Sequence, residues 1–276
     1  MQFIKNPQPS RCGLVYLFST ILIILSITSH SQSSYLPQGD KQNILLERLE
    51  IKAATDSVLN FSKTRYFNRQ KYVVNGVRSY LQQHDESGLS RVDQHNLRSL
   101  YMSETEWLTE EERAQYQSRK PILKRFYQTP ANLYEVHVKD FDLVINPVFQ
   151  YTLSKESDNN QDLFLNTRGL TIRGRIANKI GFSAYLTDNQ ERDPAYVQRW
   201  INDRDAVPGA GYYKSFKAAG GVDYFDARGY FTFNVTKYID VAFGYDKNFI
   251  GNGHRSLFLS DFSNSSLFLK LNTRIW

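Results

Sequence analysis

Ile239-Asp240-Val241-Ala242-Phe243-Gly244-Tyr245 alternates without a break between large apolar side chains (Ile239, Val241, Phe243, Tyr245) and small or polar ones (Asp240, Ala242, Gly244). Successive side chains of a strand point to opposite faces, so this stretch predicts a strand with one oily and one polar side. The pattern recurs around it. Strands are expected at Phe141–Tyr151, Phe164–Ile176, Ile180–Thr187, Tyr224–Val235, Ile239–Tyr245 and Leu267–Ile275. In the second, Leu170, Ile172, Gly174 and Ile176 oppose Thr171, Arg173 and Arg175. In the third, Ile180, Phe182, Ala184 and Leu186 oppose Gly181, Ser183, Tyr185 and Thr187. In the fourth, Phe231, Phe233 and Val235 oppose Arg228, Tyr230, Thr232 and Asn234. The fold class from residue 140 to 276 is mainly β.

Residues 32–139 have a different rhythm. Ile44, Leu45, Leu46, Leu49 and Ile51 cluster around Glu47, Arg48 and Glu50, and Leu100, Trp107, Leu108 and Tyr116 stand among polar residues. Ser103-Glu104-Thr105-Glu106 and Thr109-Glu110-Glu111-Glu112 read as helix starts, a hydroxyl cap followed by acids in the first turn. Pro121 and Pro130 interrupt, and Val136 and Val138 begin a strand-like alternation. The expectation is a small α-rich region of short helices and linkers.

The first residues set the compartment. Lys5 and Arg11 precede an apolar run from Gly13 to about Ile27, and Ser29-His30-Ser31 offers small residues at both cleavage-determining positions. This is the pattern of a secretory signal peptide, residues 1–31. The run is shorter than the roughly 20 apolar residues a spanning helix needs, and Ser19 and Thr20 interrupt it. Cys12, the single cysteine, leaves with it, so the mature chain has neither a disulfide nor a cysteine metal site to call on. Mean hydropathy is −0.50. An exported chain with no second apolar helix is either soluble or inserted as a closed β-barrel, the other structure that satisfies every backbone polar group in lipid.

Aromatic residues make up 14% of the chain, mostly Tyr and Phe, as aromatic girdles at two membrane interfaces would require, although a β-sandwich would account for them too. The formal charge is +6, and +4 once Lys5 and Arg11 are removed. That charge is dispersed, with no dense basic run interleaved with aromatics, so nucleic acid is not an expected partner.

Connections carry a second signal. Ala177-Asn178-Lys179 and Thr236-Lys237-Tyr238 read as tight turns, whereas Thr152 to Leu163, Asp188 to Asp223 and Asp246 to Ser266 read as long ones. Strict alternation of short and long is the asymmetry of outer-membrane barrels, with short turns in the periplasm and long loops outside. Six strands fall below the minimum of about 8 for such a barrel. The expectation is therefore the N-terminal portion of a transmembrane antiparallel β-barrel, a fragment of a longer protein, preceded by the α-rich periplasmic region.

On its residues the chain resembles the capsule-assembly Wzi family, closest to the branch described as the gliding motility protein RemB. The blocks that carry this are Tyr35-Leu36-Pro37, Leu46 to Lys52 (LERLEIK), Phe182 to Arg192 (FSAYLTDNQER), Val207 to Lys214 (VPGAGYYK), Tyr224 to Gly229 (YFDARG) and Phe243 to Asp261 (FGYDKNFIGNGHRSLFLSD). The resemblance implies a non-enzymatic outer-membrane β-barrel of a Gram-negative bacterium, with its N-terminal helical part in the periplasm. It acts in attachment or assembly of capsule or exopolysaccharide, or in gliding motility. Implied partners are outer-membrane lipid, surface or capsular polysaccharide, and other cell-surface motility or export components. No cofactor, metal or catalytic residue is carried over.

Candidate ligand residues follow from side-chain chemistry. The loop between Asp188 and Asp223 holds Trp200, Tyr212, Tyr213, Lys214 and Lys217; flat aromatic faces stack on sugar rings and cations pair with uronate carboxylates. Arg255 in the last long connection joins this set. The competing reading is that the aromatics pack the loop onto the barrel rim. Asp188, Asn189, Gln190, Glu191 and Asp193 are rich in oxygen but lack EF-hand spacing. Arg173, Arg175, Asp226, Arg228 and Asp240 fall on polar strand faces, so in a barrel they would line the lumen and pair there. His84, His95 and His137 lack metal-ligand spacing.

Two other functions compete. One is a porin-like channel or solute transporter. The other is an outer-membrane phospholipase using Ser256 and His254, disfavoured because the surrounding glycines suit a loop rather than a strand.

Overall fold

The computed structural model describes residues 33–37, 40–53, 69–83, 89–157, 159–216, 220–236, 238–251, 256–260 and 262–273. The expected signal peptide, Lys217, His254 and Arg255 lie outside them. Among the described residues no helix is long and apolar enough to cross a membrane, which says nothing of strands.

Alternating side chains do form strands, and the strands outrun the alternation. Eight strands make one antiparallel sheet: β1 (Tyr134–Val138), β2 (Phe141–Glu156), β3 (Asn159–Ile176), β4 (Ile180–Arg192), β5 (Lys214–Phe216), β6 (Gly221–Thr236), β7 (Ile239–Asp246) and β8 (Ser266–Thr273). Their spatial order is β1-β2-β3-β4-β6-β7-β8, with β5 on the free edge of β6, and the sheet is not closed. Among the described connections, Ala177 and Asn178 turn with φ of +51° and +54° between β3 and β4, the left-handed geometry of a tight hairpin.

The register lines up whole rows of like character across six strands. On one face run Phe141, Ile176, Ile180, Phe233, Val241 and Leu271; then Leu143, Gly174, Phe182, Phe231, Phe243 and Leu269; then Ile145, Ile172, Ala184, Gly229, Tyr245 and Leu267. A fourth row, Pro147, Leu170, Leu186 and Ala227, continues the band. In β3 and β4 it ends where Arg168 meets Asp188 at 2.9 Å, a pair flanked in the same row by Phe149 and Phe225. Four rows cover about 20 Å along the strands. The opposite face alternates with it: Asp142, Arg175, Gly181, Thr232, Ala242 and Lys270 in one row, and Val144, Arg173, Ser183, Tyr230, Gly244 and Phe268 in the next.

The helical region precedes the sheet: α1 (Lys41–Ala53), a π-helical segment Arg69–Gly76 running into α2 (Val77–Gln83), α3 (Arg91–Ser103), a 3₁₀ turn Thr105–Trp107 and α4 (Glu110–Ala114). Leu36, Leu46, Leu49, Val73, Val74, Val77, Leu97, Leu100 and Leu108 form its buried core. Thr109 opens α4 with a complete capping box: its hydroxyl accepts from Glu112 N–H, and Glu112 accepts from Thr109 N–H. Of the apolar cluster near residue 46, Leu46 and Leu49 are buried while Ile44 and Ile51 face solvent.

Three expectations need correction. Ser103 closes α3 instead of opening a helix, because Leu97, Leu100 and Tyr101 extend the buried stripe of α3 to it. The connection from Thr152 to Leu163 is not a loop: β2 and β3 stay paired as far as Glu156 and Asn159, so the alternation of short and long connections fails at its first member. Past Val148 the apolar alternation continues through Phe149, Tyr151 and Leu153, all largely exposed, and the strand runs on through polar Ser154, Lys155 and Glu156. The connection after β4 is also not featureless; it contains α5 (Ala195–Arg204) and β5.

Candidate functional site

The side of the sheet that faces the helices is its polar side. Thr232 donates its hydroxyl to Ser33 O at 3.3 Å, Tyr35 N–H donates to Tyr230 Oη at 2.8 Å, and Asn272 reaches Tyr35 Oη at 3.4 Å. At β1, Thr105 donates to Glu135 at 2.7 Å and Asn132 bridges both, while Asn146 donates to Asn132 at 3.0 Å. Helices therefore meet the wall through hydrogen bonds and ion pairs, not through the oily face.

Four of the five expected lumen residues show their partners on this side. Arg173, 8% exposed, sends Nε to Glu106 Oε1 at 2.8 Å and bonds Ser103 O, so it ties β3 to the helical part. Arg175 pairs with Asp142 and lies 4.8 Å from the Trp107 ring. Arg228 pairs with Asp226 at 3.0 Å and Asp246 at 3.4 Å, and covers the Tyr185 ring at 4.3 Å. Asp240 shares the polar face, in register with Asn234 and Asn272. Of the pairings expected within the set, Asp226 with Arg228 is made. Arg173 and Arg175 instead reach Glu106 and Asp142, which the strand pattern did not single out.

Burial and charge set the acids of the helical part. Burial pushes Glu104 up to about 7 although Arg69 pairs with it. Burial also acts on its neighbour Glu106, but there the Arg173 guanidinium wins and the carboxyl stays below the usual carboxylate range. His137 sits between Asp142, 2.9 Å from Nδ1, and Glu135, 3.4 Å from Nε2. Burial pulls the imidazole down, but the bonds to the two carboxylates outweigh it and its pKa is raised. Burial pushes Glu135 upward, but its bonds to His137, Thr105 and Asn132 bring it down to about 2.

Between the helices and the wall lies a cavity of about 740 Å³. Tyr185, Arg228, Tyr230, Phe268 and Lys270 line it from the sheet, and Tyr35, Gln42 and Arg69 from the helical part. The sequence held a weak signal for it, namely aromatics at inward positions of β4, β6 and β8. The helical side of the cavity had no signal of its own, because which helix faces reach the sheet is a tertiary outcome.

At the far end of the sheet the expected ligand loop is folded on itself. Trp200, on α5, packs with Val197, Ala210, Tyr213 and Tyr224 around the buried trio Ile201, Val207 and Val222, and meets Phe262 edge-on at 6.2 Å. Arg204 lies 4.9 Å from its ring centroid. Trp200 and Tyr213 thus pack the loop, while Tyr212 (91% exposed), Tyr196 and Lys214 face solvent. Of the oxygen-rich run, Asp188 pairs with Arg168 and Asn189 accepts from Thr167 at 2.8 Å. Ser256 donates to Ile250 O and accepts from Phe258 N–H at 3.0 Å, so its hydroxyl braces a turn. Among the described residues no three His, Cys, Asp or Glu side chains gather to hold a metal ion.

No family model, curated protein or solved structure matches the chain.

Proposed function

We propose that these strands belong to a non-enzymatic outer-membrane β-barrel of the Wzi and RemB type, with the helical part on the periplasmic side. Its outward loops contact surface polysaccharide and serve capsule attachment or gliding motility. The observation that carries this reading is the placement of the two sheet faces. A water-soluble sheet turns its oily face to a core. Here the helices cover the polar face, while the apolar rows stand exposed: Leu267 is 71% exposed, Leu269 65% and Leu271 59%. Monomers in water rarely expose contiguous apolar patches above a few hundred Å², and lipid is the solvent that suits this one. In lipid the two open sheet edges must also be paired, and closing strands are part of the proposal.

Polarity changes along the strands in the sense this requires. The apolar rows begin beside the tight turn of β3 and β4; in those two strands they stop at the Arg168–Asp188 pair, which exposed Phe149 and Phe225 flank, and beyond it stand α5 and the arm of β2 and β3. The polysaccharide-contacting part of the reading now rests on Tyr212, Tyr196 and Lys214 rather than on Trp200 and Tyr213. Fractionation and electrophoresis test the whole: recovery with the outer membrane and heat-modifiable migration are expected, and recovery as a soluble periplasmic protein overturns it. Retention of surface polysaccharide in a Tyr212→Ala, Tyr196→Ala, Lys214→Ala variant tests the loop; unchanged retention removes that part alone.

A further inference from the structure

We infer that the far end of the sheet carries a proton-operated latch: Glu191 and Asp193 share one proton while α5 is seated on the sheet, and α5 loosens when that proton leaves. The latch is independent of what the outward loop contacts. It lies beyond the Arg168–Asp188 pair, outside the apolar rows. Glu191 stands opposite Val222 and Asn189 opposite Tyr224, on the polar side of the sheet. Val222 and Tyr224 are the sheet residues on which Ile201, Val207 and Trp200 pack, so the acid lies under the α5 cluster. Asp193 follows two positions on and joins strand to helix, its carbonyl accepting from the Gln198 side chain. Pro194 gives α5 no side-chain cap, and the Ala195 N–H goes instead to the Glu156 carboxylate, 3.2 Å from Oε2.

The contact itself requires the proton. Asp193 Oδ2 is shut off from solvent and receives no hydrogen bond from an amide or hydroxyl among the described residues. The Glu191 carboxyl bonds Asp193, and Tyr224 donates its hydroxyl to Glu191. Two ionised carboxylates are acceptors only, so a bond between them holds a proton. No cation is among the groups that act on either acid. Arg192 turns to the carbonyls of Gly220 and Asp162, and Arg228 pairs with Asp226. Lys214 of β5 lies across from Asp223, which accepts from Gln190 at 3.3 Å. On α5, Arg199, Asp203 and Arg204 face solvent. Burial and the neighbouring Asp193 push Glu191 up to about 7, and burial raises Asp193 as well. Seating α5 therefore takes up a proton. The seat is complete below the ordinary carboxylate value and is lost as pH rises through about 7, where two like charges in contact must be parted or wetted.

The test uses the full chain folded in detergent, with amide exchange followed by mass spectrometry at pH 5.5 and pH 8 and corrected for the intrinsic pH dependence of exchange. Protection of α5 is expected to fall at least about tenfold between the two, within the limit of about tenfold per pH unit that one linked proton sets, while the β3–β4 hairpin keeps its protection. Glu191→Gln keeps a donor for Asp193 but cannot titrate. It should give α5 equal protection at both pH values, above the parent at pH 8. Equal protection of α5 at the two pH values in the parent overturns the inference, as does a slope that Glu191→Gln leaves intact. A slope shared by the β3–β4 hairpin would make the titration global and overturns it too. If Glu191→Gln fails to fold, Asp193→Asn removes the shared proton from the other side, is expected to flatten the slope likewise, and decides.

Discussion

Leu269→Arg separates a lipid-facing sheet from a water-facing one by the size of its effect. Leu269 lies in the second apolar row, opposite Phe243, and is 65% exposed. A fully buried leucine is worth about 1.5–3 kcal/mol, so the third of it that is covered contributes at most about 1 kcal/mol when the solvent is water. Arginine at the same position would then be nearly silent. Facing lipid, arginine on the outer surface of a barrel costs about 2–4 kcal/mol near the bilayer midplane. The measurement is reversible unfolding in urea from lipid vesicles, followed by heat-modifiable migration and protease protection. Phe258→Arg serves as the control, since Phe258 stands 85% exposed in the last connection, outside the strand rows. A drop of 2 kcal/mol or more for Leu269→Arg, with little change for Phe258→Arg, is expected. Equal, small effects in a chain that has folded would refute the assignment of the apolar rows to lipid.

Other expectations concern how the helical part is held. Arg173→Met removes the partner of buried Glu106 and should cost about 3–5 kcal/mol at neutral pH, seen as faster hydrogen exchange in Thr105–Trp107 and α4 with the sheet still protected. Burial would then raise Glu106 above its unfolded value, so acidification should restore part of the loss; a variant equally unstable at pH 5 and pH 8 would contradict this. The raised pKa of His137 adds stability that is complete below its unfolded value and is lost as pH rises through the folded one. His137→Gln should therefore flatten the thermal midpoint across about pH 6–8, and an unchanged slope would exclude the imidazolium bridge. Thr109→Ala removes one half of the capping box and should destabilise α4 by about 1 kcal/mol, measured by amide exchange at Glu112.

Strand identity was legible because side-chain period is a local property. Phe141, Ile180 and Ile239 each mark where an alternation starts, and each begins a strand. Strand ends were less legible. Beyond Leu153 the arm turns polar at Ser154, Lys155 and Glu156, which pair with Leu163, Asp162 and Asn159, so the side chains do not mark where the strand stops. For the candidate residues the division is similar. That Arg173, Arg175, Arg228 and Asp240 share the polar side follows from counting by twos. That Arg173 ends on Glu106, 67 positions away, does not.

The order of residues alone determined a β-rich second half, a helical first half, and two sheet faces of opposite character, because period and polarity are written into neighbours a few positions apart. Tertiary structure decided which face the helices take, whether Trp200 would be a ligand surface or a packing residue, and that Gln42 and Arg69 would share a cavity with Lys270. Those outcomes depend on which surfaces, distant along the chain, satisfy one another's hydrogen bonds and charges once water is excluded. No local pattern carries that information.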